Sequence, residues 1–290
     1  MKKFLIFSLV LACLFVTGCG SKEEKRKNSD ENKSVKNEKK ISKANIEETV
    51  ILDKKNIKIT AKRISYDDYM GPEIKLLIEN NSNKNITVQV RKFSINGIMI
   101  DPLFSADVAS GKKMNDEISI ISDYLETAKI STIKDIEFDI HIFNSDSWDD
   151  IINESGIKLE TNATNYEQKY NSDGELIVDE KDIKVYVLKK DDKESFWGAD
   201  IFLYIENNSS KDITVQARDV SINGFMVDPL FSADISAGKK IYDEMSFLED
   251  DLKDNDITSI KELELKFHIF NQDSWKDILN TGIKKIGFDK

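Results

Sequence analysis

Cysteine, histidine and proline are scarce in this 290-residue chain, and each scarcity excludes something. Both cysteines, Cys13 and Cys19, lie within the first nineteen residues. The rest of the chain therefore offers no thiol nucleophile, no Cys-based metal site and no disulfide. A body without disulfides must be held by its apolar core. The two histidines, His141 and His268, are 127 residues apart and form no His-x-x-x-His pair. A Gly-rich phosphate loop is missing, as is a Ser placed on a strand-turn-helix. Three prolines, Pro72, Pro102 and Pro229, leave long stretches open to strand pairing. The N-terminal apolar run, Phe4 to Val16, falls short of the roughly 20 residues a comfortable transmembrane helix needs.

That run follows Lys2 and Lys3 and ends in Val16-Thr17-Gly18-Cys19, with a strongly polar stretch directly behind it. The layout is that of a secretory signal peptide, residues 1–18. Its end resembles a bacterial lipobox, in which the Cys after a small residue becomes the lipidated N-terminus. The expectation is lipidation at Cys19 and attachment to the extracytoplasmic face of the cell membrane. Residues 19–45 then read as a disordered basic tether. They carry nine Lys/Arg against five Asp/Glu and almost no large apolar side chains, so they cannot bury enough surface to offset ordering entropy. A basic segment beside a lipid anchor suits an anionic membrane surface. The chain as a whole has a formal charge of −11, so the body is acidic and should be repelled by nucleic acid.

The body repeats itself. Ile78-Glu-Asn-Asn-Ser82 returns as Ile205 to Ser209, Ile86-Thr-Val-Gln89 as Ile213 to Gln216, and Asp101-Pro-Leu-Phe-Ser-Ala-Asp107 as Asp228 to Asp234. From Ile78 to Asn153, 45 of 76 positions match at an offset of 127, which identifies a duplication. Upstream the offset is 126, so one residue differs in length between Ile64 and Gly71, in a stretch that reads as a loop. Residues 46–161 form the first module, 162–174 a polar Asn-rich linker and 175–290 the second module.

Each copy alternates apolar and polar residues with period two. Examples are Ile74, Leu76 and Ile78, then Ile86, Val88 and Val90, then Ile136, Phe138, Ile140 and Ile142. This is the pattern of antiparallel sheets with one buried face. Asn96-Gly97 between apolar residues marks a hairpin. About seven strands per module predict an all-β fold of two tandem immunoglobulin-like β-sandwiches. Short helical turns are expected near Ser122–Ala128 and at Asp146–Asn153, the second ended by Gly156 with Trp148, Ile151 and Ile152 turned to the core.

The body resembles the immunoglobulin-like domains of unknown function found in lipoproteins of low-GC Gram-positive bacteria. The likeness rests on the Asn-Asn-Ser turn after an apolar strand, the Ile-Asn-Gly hairpin and the Ser-Gly-Lys or Ala-Gly-Lys turn. It implies a surface-tethered module and brings no catalytic residues with it.

The functional expectation is a non-catalytic binding or protein-interaction module, with a structural spacer or assembly scaffold of the envelope as the alternative. A hydrolase is disfavoured, and no cofactor or metal is expected. Its partners would be the membrane, through the lipid, and an envelope or extracellular protein or ligand. One candidate interaction patch is aromatic: Phe196, Trp197, Phe202 and Tyr204, with His268 and Phe270 on the same sheet surface. A second candidate is the loop carrying Leu103 and Phe104 and its partner carrying Leu230 and Phe231, with aspartates beside them.

Overall fold

The structure is a computed structural model and describes residues 42–67, 70–170, 172–192 and 198–288. The signal segment, Cys19 and the tether up to residue 41 lie outside the described residues; the end expected to be disordered tether, residues 42–45, is instead ordered, with Ser42 bridged to Thr132, Ala44 buried and Asn45 Oδ1 accepting from Ile64 N (2.8 Å).

In the first repeat the strands are β1 (Thr49–Lys54), β2 (Ile57–Asp67), β3 (Gly71–Asn80), β4 (Ile86–Ile95), β5 (Ile98–Met99), β6 (Ser105–Val108), β7 (Lys112–Ser119), β8 (Asp135–Asn144) and β9 (Asp150–Glu160). A short helix, α1 (Ser122–Thr127), links β7 to β8, inside the stretch expected to be helical. The second repeat comprises β10 (Glu175–Glu180), β11 (Ile183–Asp191), β12 (Gly198–Asn207), β13 (Ile213–Ile222), β14 (Phe225–Met226), β15 (Ser232–Ile235), β16 (Lys240–Leu248), α2 (Glu249–Asp254), β17 (Glu262–Asn271), β18 (Asp277–Asn280) and β19 (Lys284–Gly287).

Each repeat is an all-β sandwich. One sheet runs β1-β2-β3-β7, and the facing strands are β4, β8 and β9 with β5 and β6 on β4. The second repeat pairs β10-β11-β12-β16 against β13 and β17, with β14 and β15 on β13 and with β18 and β19 on β17. Alternating residues from both sheets meet in one core per repeat, built on Ile57, Ile59, Ile74 and Phe138 in the first and on Ile183, Ile201, Phe247 and Phe267 in the second. The length difference between repeats falls in a connection, β2–β3 against β11–β12. Ile64 stands opposite Ile74 just as Lys190 stands opposite Ile201.

The repeated motifs are largely structural. The buried Asn80 donates from Nδ2 to the carbonyls of Lys84 (2.8 Å) and Val108 (2.9 Å), and Asn207 does the same to Lys211 and Ile235. Asn96 and Gly97 take positive φ, as a tight hairpin turn requires. Asn96 also clamps the chain before β8, donating to Thr132 O (2.8 Å) and accepting from Lys134 N (2.8 Å).

The expected helical turn at Asp146–Asn153 does not form. Residues 145–148 are the loop of a hairpin, and β9 begins at Asp150. Asn144 Oδ1 accepts from the backbone N–H of Asp146 (2.8 Å) and Ser147 (3.2 Å), which diverts the first polar residues into a turn. Pairing of β9 with β8 then outweighs local helix preference. Gly156 ends no helix. At φ +73° it sits in a bulge of β9, where its N–H donates to Asp139 Oδ1 (2.8 Å).

The two repeats are joined in one sheet. Lys240, at the start of β16, bridges in parallel to Ile98 of β5, and its N–H donates to Gly97 O (3.0 Å). Lys92 pairs with Asp212 (2.5 Å) and Lys239 with Glu137 (2.6 Å). Tyr170, from the connecting segment, donates to Asn96 O (3.1 Å) and lies under the Lys240 ammonium at 4.3 Å. Tyr242 of the second repeat packs against the first core, and Met99 of the first against the second.

Candidate functional site

On β8, residues 137, 139, 141 and 143 project away from the core that Ile136, Phe138, Ile140 and Ile142 enter. On this outer face His141 and Phe143 lie with ring centroids 5.2 Å apart. Trp148, in the β8–β9 loop, stacks on Phe143 at 5.4 Å with the rings 16° from parallel. His141 Nε2 is 2.7 Å from Asp150 Oδ1, and Arg91 Nη2 is 2.6 Å from His141 Nδ1. Arg can only donate, so Nδ1 is the acceptor and the ring carries its proton on Nε2, toward Asp150. The hydrogen bond from His141, then that from Asn153, holds the Asp150 carboxyl below the usual range.

The second repeat rebuilds this ladder. His268 and Phe270 are 5.0 Å apart, Trp275 stacks on Phe270 at 5.4 Å and 16°, and His268 Nε2 lies 2.8 Å from Asp277. One detail differs: Arg218 donates to Gln216 (2.5 Å) instead of reaching the histidine, which is more exposed here.

Both tryptophans are three-quarters exposed, Trp148 at 75% and Trp275 at 76%. Each has positive φ, +64° and +58°. The left-handed conformation costs an L-residue roughly 1–2 kcal/mol, and hairpins usually put Gly there. The loop imposes it, because Trp148 N donates to Asn144 O (2.8 Å) while Asn144 N donates to Asp149 O (2.9 Å). Trp275 is held by the same bonds from Asn271 and Lys276. The result is an indole stacked on Phe and otherwise largely open to solvent, in a loop whose neighbours in sequence are Asp146, Asp149 and Asp150 in the first repeat and Asp273, Lys276 and Asp277 in the second. Such a surface can stack on a flat apolar face and hydrogen-bond around its rim.

Comparison with known proteins adds little to this picture. No family model and no curated protein matches the chain. Among solved structures, a Salmonella enterica SafA pilin in complex with the SafB chaperone is similar at 10% identity, covering 82% of this chain and 98% of that one, with a TM-score of 0.24. That score is too low for the likeness to bear on fold or function.

The aromatic patch expected from sequence is not one surface. Phe196 and Trp197 lie outside the described residues. Phe202 is half-buried beneath the Lys189 ammonium, 4.3 Å from its ring centre. Tyr204 is fully buried, between Tyr186 (5.7 Å) and Tyr242 (4.7 Å). His268 and Phe270 belong to β17, in a different sheet from β12, and Phe270 is buried under Trp275. In the loop pair, Phe104 and Phe231 pack against the two cores, whereas Leu103 and Leu230 are exposed. The nearby aspartates are engaged: Asp107 accepts from Thr87 (2.6 Å) and Asp234 from Thr214 (2.5 Å). Among the described residues no group of three or more His, Cys, Asp or Glu is placed to hold a metal.

Sequence reasoning missed Trp148 and Trp275 by placing Trp148 in the core. A signal was there. His-Ile-Phe-Asn-x-Asp-Ser-Trp-x-Asp occurs in both copies, with an Asn at a strand end followed by turn-forming residues.

Proposed function

We propose that this chain is a non-catalytic binding protein, anchored through lipid on Cys19 at the extracytoplasmic face of the membrane, that holds an envelope ligand or protein on the Trp148 and Trp275 platforms. The observation that carries the reading is two exposed tryptophans kept in a strained backbone conformation. The open ring faces add nothing to stability, and exposed aromatics of this kind supply binding energy when covered. Two weak sites on one chain gain avidity of 10²–10⁴ when the ligand is repetitive or fixed to a surface, as envelope material is. The anchoring half rests on Lys2, Lys3, the apolar run and Cys19.

The test uses the full chain and isolated envelope fractions. Trp148→Ala and Trp275→Ala should each weaken retention about tenfold, and the double variant should abolish it, with unchanged circular dichroism. Equal retention of the double variant and the parent would sink the proposal. Cys19→Ser should move the protein from the membrane fraction to the medium. A second reading, a rigid envelope spacer, draws on the sheet continuity at Lys240 and Gly97. It predicts that the double tryptophan variant keeps its biological role while disruption of that junction loses it.

A further inference from the structure

The first repeat uses its Asn-Gly hairpin as a docking edge, and the second repeat has the same hairpin uncovered. Ile98 and Met99 are screened by β16 and the second core. Their counterparts Phe225 and Met226, on β14, are 48% and 67% exposed, two of the larger apolar side chains left in water. The complementary edge is also open. β16 corresponds to β7, which ends its sheet in the first repeat: beyond β3 its one bridge is Ser119 to Leu103 at the far end, and the edge around Lys113 pairs with no strand among the described residues.

We infer that Phe225–Met226 of one copy receives β7 of a second copy of this chain, repeating between molecules the junction that joins the two repeats within one. The register supports it. Glu79 stands opposite Lys113 as Glu206 stands opposite Lys240, so the Lys113 N–H points off the free edge as the Lys240 N–H does. It would meet Gly224 O, the counterpart of Gly97 O. Lys112 would face Glu264 in place of the Lys239–Glu137 pair. Asp219 would face Asn85 in place of Lys92–Asp212, losing a charge pair without creating a like-charge contact. Met226 keeps the methionine of Met99.

Two features make this contact weaker than the internal one. Tyr242 becomes Asn115, and Tyr170, which seals the internal junction, comes from the connecting segment. Such a head-to-tail contact does not close on itself, so it builds open chains instead of a symmetric dimer. Exposed apolar edges of this kind are also where unplanned pairing starts unless charge opposes it.

The experiment is disulfide capture in cells with the full chain. Two variants, Met226→Cys and Lys113→Cys, are expressed separately, together and combined in one chain. The expected result is a cross-linked dimer only from the mixture, above the background of the parental chain with Cys19, and a ladder of higher species from the combined chain. Adding Phe225→Asp, at an exposed position where folding tolerates it, should reduce capture at least tenfold. Absence of a mixed dimer overturns the inference, as does a ladder that survives Phe225→Asp. Capture of a different protein by Met226→Cys, in place of the second copy, overturns it too. The outcome is independent of Trp148 and Trp275, so it stands or falls apart from the binding reading.

Discussion

The two repeats share a fold and most turn motifs, yet equivalent positions have opposite fates. Tyr186, Tyr204 and Tyr242 form an aromatic row on the outer face of the second repeat's first sheet. The first repeat carries Thr60, Leu77 and Asn115 there. Asp243 has its carboxyl pushed up to about 6 by burial and by the neighbouring Glu244 and Asp101, the last from the other repeat. Its counterpart Asp116 lies on an open edge. Ile98 is buried where Phe225 is exposed. Duplication copied the sandwich, and the junction between copies made them unequal.

The sharpest way to break that comparison is to remove a side chain on the row. Tyr204→Ala should cost about 3–5 kcal/mol in urea unfolding, the range for deleting a fully buried aromatic. Leu77→Ala, at a half-buried position of a free face, should cost about 1 kcal/mol. Equal losses would mean that the tyrosines do not depend on the junction.

A smaller effect separates the paired aspartates. Asp243 is harder to ionise folded than unfolded, so its contribution is fully present below its ordinary value of 3.8 and is lost as pH rises toward about 6. The ionised form then costs up to about 3 kcal/mol at pH 7. Asp243→Asn should raise the melting temperature at pH 7 and leave it unchanged near pH 3, whereas Asp116→Asn should do little at either pH. An equal gain from both would refute a junction origin for the shift.

The smallest expected effect tests what the repeats have in common. Trp148→Gly loses the stack on Phe143 but relieves the left-handed backbone, so stability should stay within about 1 kcal/mol of the parent. Trp148→Ala keeps the strain and should be about 1 kcal/mol worse than Gly. Because both stacks measure 5.4 Å and 16°, Trp275 should give the same pair of values by the same unfolding curves. A clear difference between repeats would show that the platforms are not equivalent.

Much of the sandwich was legible from local pattern. Alternation along Ile136 to Ile142 placed β8 with its core face, and Asn96-Gly97 placed a hairpin, because both depend on residues near in sequence. The site was not legible in the same way. Trp148 reads as a core residue when Asp146–Asn153 is taken as helical, and only pairing between β8 and β9 turns the loop and reverses the indole. Tyr204 reads as exposed by alternation, since nothing local announces that Tyr186 and Tyr242 from the neighbouring strands close over it.

Sequence by itself therefore determined the duplication, the strand periodicity, the Asn-Gly hairpin turns and the absence of thiol chemistry in the body. These follow from backbone preference and burial of one strand face, which act over a few residues. Tertiary structure alone decided that Trp148 and Trp275 face water, that Tyr204 and Asp243 are buried, and that one Asn-Gly hairpin is covered while its twin is bare. Those outcomes depend on strands and a second repeat far along the chain, and on a sheet edge that can be closed only once within a two-repeat molecule.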